Sequence, residues 1–290
     1  HLADPAEAAA FEFKHALVRD AAYESLLKST RRGLHARLYR LLCDDPRTPP
    51  AVVARHAEAG ALPVQAMAAT EKAGSVALAR PAYAEATAAF TAAIRVCRGF
   101  GDGVDNLRQQ LRLTNRLGLA QMGALGYQAE AVGGTFQSAL DLAERIGDAE
   151  LVFPAVFGLC THRYTAGQPF AAFGRLVRQA HDLLDALDDK SRRLNAPRVL
   201  ALQTVEQFHA ARFEAALERV DRVHAVYDSD LMEALVQRYG EDSRITATGY
   251  RAWALSFLGR IDESRAAAAQ AAGKFDAIIA SMSITPERSE

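Results

Sequence analysis

Apolar residues recur three and four apart along most of this 290-residue chain, the spacing of an amphipathic helix. No segment alternates apolar and polar positions between hairpin turns as strands do. The clearest helical stretch is residues 248–272. Tyr250, Trp253, Ala254, Phe257 and Leu258 fall on one helix face. Gly259 ends that helix, because glycine readily takes the left-handed conformation of a C-terminal cap. Asp262 and Glu263 then occupy the first turn of a second helix, where carboxylates meet the positive end of the helix dipole. This second helix is rich in alanine, so the expectation is a hairpin with a large aromatic knob on the first helix and small sockets on the second.

The same opening of a second helix recurs at Ala82-Tyr83-Ala84, Gly126-Tyr127-Gln128, Gly167-Gln168-Pro169-Phe170, Ala211-Arg212-Phe213 and Gly259-Arg260-Ile261. The starts at 82, 126, 167, 211 and 259 lie 44, 41, 44 and 48 residues apart. A near-constant interval is the mark of stacked helix hairpins. The units exceed the ~34 residues of a strict tetratricopeptide repeat, so helices or connections must be longer here. The pattern predicts an all-α fold, a right-handed solenoid of about five tetratricopeptide-like hairpins.

Ahead of the repeats, Phe13, Ala16, Leu17, Ala21, Leu26 and Leu27 predict a helix over residues 15–28, with Tyr23, Leu26 and Leu27 sharing a core face. Ser29 or Thr30 can cap a second helix carrying Leu34, Leu38, Leu41 and Leu42. The breaker cluster Asp44-Asp-Pro-Arg-Thr-Pro-Pro is the best boundary in the chain and divides it into residues 1–45 and 46–290. The longest connection, 227–243, has room for a short helix over 231–237, and Asp242 is placed to cap the helix that follows.

Charge and cysteine usage narrow the function classes. The formal net charge is −1 and the pI about 6.8, which gives no overall attraction to nucleic acid or to anionic membranes. Cys43, Cys97 and Cys160 are odd in number and far apart, as for free thiols in a reducing cytosol, and a cytoplasmic protein is expected. The most apolar run, residues 151–160, holds Pro154 and is too short for a membrane span of ~20 residues, so it reads as a core helix. The chain starts without Met and ends in Ser-Ile-Thr-Pro-Glu-Arg-Ser-Glu, which reads as a piece of a longer polypeptide. Phe275, Ile278 and Ile279 then suggest exposed apolar surface near its end.

Motifs for chemistry are missing. Gly273-Lys274 lacks the upstream glycine of a phosphate loop, and the glycines at 99, 101 and 103 follow a helix rather than a strand. No histidine has a second His or Cys three or four residues away, so no metal or other cofactor is expected. The cluster Lys28, Arg31, Arg32, Arg37 and Arg40 contains no acid. It lacks the aromatics that stack on single strands and the polar helix that reads a major groove, so direct nucleic-acid binding is not expected. No catalytic residue is predicted.

Phe11-Glu-Phe-Lys-His-Ala-Leu-Val-Arg-Asp-Ala-Ala-Tyr-Glu-Ser-Leu-Leu-Lys-Ser-Thr-Arg-Arg-Gly-Leu-His-Ala-Arg37 resembles the segment after the ATPase module in large bacterial signalling proteins of the STAND class. Many members carry an N-terminal class III adenylate/guanylate cyclase domain, and others resemble LuxR-type transcriptional regulators. Residues 151–159, 239–244 and 250–264 are similar to that family's repeats. The resemblance implies that residues 1–45 close a winged-helix-like subdomain and that 46–290 are tetratricopeptide-like repeats. It implies a non-catalytic regulatory region that binds a protein or peptide partner or holds the ATPase domain of its own chain. The alternative is an inducer-sensing repeat region of a LuxR-like regulator. His15, with Arg19, is placed to sense a nucleotide phosphate as a winged-helix histidine does in related switch ATPases. A concave face lined by first helices would offer Arg108, Arg112, Asn115, His162, Arg163, Gln203 and Gln207 to a partner. The loop bearing Tyr239, Glu241 and Arg244 could close over a ligand.

Overall fold

The computed structural model describes residues 15–228 and 242–283, with side chains up to Gly273. The described residues form thirteen α-helices and no strands. Two compact units divide between Phe100 and Gly101. The first holds α1 (Ala16–Ser25), α2 (Lys28–Leu42), α3 (Pro50–Ala59), α4 (Pro63–Ala79) and α5 (Tyr83–Arg98). The second holds α6 (Val104–Leu125), α7 (Glu130–Ile146), α8 (Ala149–Thr165), α9 (Phe170–Leu183), α10 (Asp189–His209), α11 (Phe213–Val226), α12 (Ser243–Phe257) and α13 (Ile261–Ser283). A 3₁₀ turn, Leu184–Ala186, links α9 to α10.

The hairpins are α4–α5 in the first unit and α6–α7, α8–α9, α10–α11 and α12–α13 in the second, each packed helix on helix. Within the second unit the first helices α6, α8, α10 and α12 also pack on one another in series. The fold is a tetratricopeptide-like helical repeat.

The repeat is written in its turns as well as its helices. At the ends of α3, α4, α8, α10 and α12 an amide reaches back to the carbonyl five residues earlier. The pairs are Leu62 to Ala57 (3.0 Å), Ala82 to Ala77 (2.8 Å), Gln168 to Arg163 (3.1 Å), Arg212 to Gln207 (3.0 Å) and Arg260 to Leu255 (2.9 Å). This is the Schellman closure, which satisfies carbonyls the helix end leaves without a partner. It needs one residue with positive φ. Gly259 supplies it at +77°, as its place in the sequence predicts, but the α10–α11 turn uses Ala211 at +56°. A left-handed alanine is strained by roughly 1 kcal/mol. Ala211→Gly is therefore expected to stabilise the chain by up to about 1 kcal/mol, the lost strain outweighing glycine's extra unfolded-state entropy. Chemical denaturation of the two chains checks this.

The sockets run opposite to expectation. In α4–α5 and α6–α7 the aromatic knob sits on the second helix and the glycine socket on the first. A Cβ on Gly74 of α4 would fall 2.9 Å from the Phe90 ring of α5. Phe136 of α7 is clamped on both sides, since Cβ atoms on Gly118 of α6 and Gly158 of α8 would come within 2.5 and 2.3 Å of its ring. Trp253 and Phe257, expected as the buried knob of the last hairpin, are instead 53% and 69% exposed. Their ridge of α12 projects beyond the packing surface, while Tyr250, Ala254 and Leu255 face inward.

The core of the second unit centres on α7, α8 and α9, with Phe136, Phe153, Val156, Cys160, Phe173 and Val177 buried in one cluster. Helix α8 has neighbours on several sides, α6, α7, α9 and α10, and so is apolar nearly all round. It runs through Pro154, and α10 runs through Pro197. Asp242 caps α12 as expected, accepting the Arg244 amide at 2.8 Å. Cys97 and Cys160 are buried, Cys43 is half-buried, and none of the three is in a disulfide.

Candidate interaction surfaces

Helices α1 and α2 bury none of their residues. Leu17 is 83% exposed, Leu27 74% and Leu41 68%, and Val18, Leu34, Leu38 and Tyr23 are also exposed. The core face expected for Tyr23 and Leu27 is thus an outer face. The helix expected over 15–28 ends at Ser25, because extended Leu26 and Leu27 turn the chain into α2. Leu27, rather than Ser29 or Thr30, precedes that second helix, and no side chain caps it.

What ties α1 and α2 to the repeats is a polar chain that no sequence motif announces. The Tyr23 hydroxyl lies 2.9 Å from His35 Nε2, and His35 Nδ1 lies 2.8 Å from His56 Nδ1 on α3. The Arg31 guanidinium covers the Tyr23 ring, 5.1 Å from its centroid. A signal did exist: His35 and His56 flank the breaker cluster at 44–50, and a turn there brings them together. The contact between the two Nδ1 atoms holds one hydrogen, so protonating both rings sets two donors face to face. Burial holds the His56 imidazole below its ordinary pKa of 6.5, with the charges of His35 and Arg55 adding to the effect. A depressed histidine contributes stability above its unfolded pKa that is lost as pH falls through the folded value. The first unit is therefore expected to weaken as pH falls below the ordinary histidine value of 6.5. Far-UV dichroism melts at neutral and acid pH check this, with His56→Gln losing that pH dependence.

A second surface lies at the turn ends of α8–α9, α10–α11 and α12–α13. Tyr250 donates to the Tyr164 hydroxyl at 3.0 Å, and Tyr164 lies 3.2 Å from His209 Nε2. Three successive first helices, α8, α10 and α12, are thus joined by one polar chain. Burial, then the bond to Tyr164, raises the Tyr250 phenol far above its ordinary range, and burial lowers the His209 imidazole. Both groups are neutral near pH 7. Tyr164 can then donate to Nε2, which leaves the imidazole hydrogen on Nδ1. Around the chain, Phe208 has ring centroids of Phe213, Tyr250, Trp253 and Phe257 between 5.2 and 6.0 Å away. Sequence reading found Phe213, Tyr250, Trp253 and Phe257 one helix at a time, but it missed Phe208 and Tyr164, which join them between repeats.

The candidate residues read from the sequence are distributed as follows. His15 stands exposed at the start of α1, and Arg19 one turn on is exposed and bonded to Asp20 at 2.8 Å. Arg108 is exposed and lies 3.6 Å from Asp148, and Arg112 donates to Gln109. Asn115 and His162 are buried. His162 Nδ1 meets the Tyr127 carbonyl at 3.1 Å, and a Cβ on Gly133 would fall 2.4 Å from its Nε2. Arg163, Gln203 and Gln207 are half-buried on α8 and α10. Arg244 stacks on the Tyr227 ring at 3.7 Å and pairs with buried Asp242 at 3.1 Å. Tyr239 and Glu241 lie outside the described residues, as do the expected helix over 231–237 and the side chains of Phe275, Ile278 and Ile279.

The hollow between the starts of α8 and α10 is lined by Asp148, Glu150, Asp188 and Ser191. Asp148 and Asp188 there accept backbone amides of their own helices. The Ser191 amide holds the Asp188 carboxyl below its ordinary pKa. Among the described residues no group of three His, Cys, Asp or Glu side chains is placed to hold a metal ion. No described helix is long and apolar enough to cross a membrane.

No family model matches the chain. It is similar to the uncharacterized protein R02095 of Rhizobium meliloti (strain 1021), 22% identical over 265 residues that make up 89% of this chain and 25% of that protein. The chain thus spans about a quarter of the length of the curated relative it matches. Among solved structures it is similar to the apo form of RapI, with a TM-score of 0.52 and 11% identity over 90% of this chain and 80% of that one, a likeness of fold.

Proposed function

We propose that this chain is the regulatory and protein-interaction repeat region of a larger bacterial signalling protein, of the kind that joins a STAND-class ATPase module to a class III nucleotide cyclase domain. The observation that carries this reading is the contrast between the two ends of the first unit. Helices α3 to α5 bury apolar side chains against one another, while α1 and α2 bury none and turn leucines outward. Surface of that kind marks a protein contact. Helical repeats supply broad, rigid faces for such contacts.

Two further observations support the finer part. The stretch over residues 11–37 resembles the segment after the ATPase module, and the curated relative has about four times the matched length. On this reading residues 1–45 complete a winged-helix-like subdomain. Exposed His15 and Arg19 face the nucleotide-binding module, and the protein is cytoplasmic. The chain contributes no catalytic group and no cofactor site of its own. The gene encoding it provides the test. A nucleotide cyclase domain and a phosphate-loop ATPase encoded upstream of residue 1 are the expected result. An upstream region with neither overturns the STAND assignment and leaves a helical-repeat interaction module.

A further inference from the structure

Helix α2 carries a second pattern besides the one that holds it on α3. Leu34, Leu38 and Leu41 are spaced four and three residues apart, which puts them in one ridge along the helix, and Leu27 stands just before its start. All four are exposed. Arg37 and Arg40 run beside this ridge, one helical turn apart, and both are exposed. The inward side of α2 is a different set, His35, Ala36, Tyr39 and Cys43, all half-buried. The ridge is therefore not the packing face of α2 turned out by chance. It is a separate surface on a helix already anchored through His35 and His56.

We infer that this ridge is a docking strip for an amphipathic helix of a protein partner that carries Glu or Asp beside its own apolar stripe. The inference rests on the reading of the chain as an interaction region and names one partner surface of it. Charge decides the chemistry of the occupant. The whole chain has a formal net charge of −1, yet α2 holds Lys28, Arg31, Arg32, Arg37 and Arg40 and no acid. Among the described residues no acid pairs with Arg37 or Arg40. Geometry decides the shape. A straight ridge of leucines fits between the ridges of a second helix at 8–10 Å separation, and carboxylates flanking that helix meet the arginines. A lipid surface fits less well, because α1 beside α2 exposes Asp20 and Glu24, which an anionic membrane repels.

The test uses the 290-residue chain and two synthetic helical peptides. They share a leucine stripe at three- and four-residue spacing and differ only in having Glu or Lys flanks. Anionic phosphatidylserine vesicles form the third arm. The Glu-flanked peptide is expected to bind at least about tenfold more tightly than the Lys-flanked one, and to weaken as salt rises. Arg37→Glu with Arg40→Glu, both at exposed positions, is expected to reverse that preference. Leu34→Ser with Leu38→Ser is expected to abolish binding of either peptide while the helical dichroism stays unchanged. Equal binding of the two peptides, an unaltered preference in the double-Glu variant, or capture by vesicles with neither peptide bound overturns the proposal. None of these outcomes bears on which domains the gene encodes upstream, so the two readings fail separately.

Discussion

Gly158→Ala is expected to destabilise the second unit by about 3 kcal/mol, at the upper end for a single overpacked group. The added methyl falls 2.3 Å from a ring carbon of Phe136, closer than carbon atoms approach. A ring with free space would swing aside. Phe136 has none, because a retreat from α8 drives it towards Gly118 of α6, where a Cβ would already lie 2.5 Å away. Phe136 is also fully buried in the apolar cluster at the centre of the second unit. Truncating the knob, Phe136→Ala, is expected to cost about 3–5 kcal/mol through lost burial and the cavity it leaves. The two changes together are the informative experiment. Once the ring is gone, the methyl at 158 has space and fills part of the cavity, so the double variant is expected to lose at least about 1 kcal/mol less than the sum of the singles. Urea denaturation of the four chains measures this. Strict additivity would mean that knob and socket do not touch.

Phe208→Ala is expected to cost about 3 kcal/mol, the low end for a phenylalanine because the ring is only half-buried. Its ring touches those of α11 and α12 at once, through Phe213, Tyr250, Trp253 and Phe257. The loss should show first as loosened packing of α12–α13, since Phe208 is the largest apolar side chain that α10 brings to α12 at that end. Hydrogen exchange in α12 reads it directly, and Trp253 fluorescence reports the same event, because its ring centroid is 6.0 Å from that of Phe208. Tyr250→Phe provides the contrast. It keeps every ring contact, removes the bond to Tyr164, and is expected to cost only about 1 kcal/mol. Equal losses from the two variants would shift the weight from ring packing to the hydroxyl chain.

The hairpins were legible in the sequence because their signals are local. A three-and-four apolar spacing, a turn residue and an opening aromatic all lie within about ten residues of each other, and the second helices begin at Tyr83, Glu130, Phe170, Phe213 and Ile261, close to the predicted starts. Asp242 was legible as a cap for the same reason. What stayed hidden depends on helix-to-helix geometry. Phe136 owes its place to glycines 18 and 22 residues away in sequence, at 118 and 158, which no period marks. Trp253 looked like a knob because it shares a face with Tyr250, yet the packing surface of α12 ends between them. Tyr23 and Leu27 looked like core because amphipathic spacing shows that a face is apolar, not what lies against it.

The candidate site divided along the same line. Residue type and helix assignment were readable, so the first helices do carry Arg108, Arg112, Arg163, Gln203 and Gln207. Burial of Asn115 and His162 was not, because it depends on how neighbouring hairpins close over them. The pairing of His35 with His56 crosses from α2 to α3 through a turn whose direction the sequence leaves open.

The proposed regulation of a nucleotide-converting parent protein by this region is tested most directly by nucleotide turnover of the whole polypeptide its gene encodes, beside the same polypeptide lacking this region and the region alone. The account predicts no turnover by the isolated chain, and a changed rate of ATP hydrolysis or cyclisation, with the chemistry retained, when the region is deleted. Turnover by the isolated chain, or a deletion that leaves the rate and its response to partners unchanged, would contradict a regulatory role.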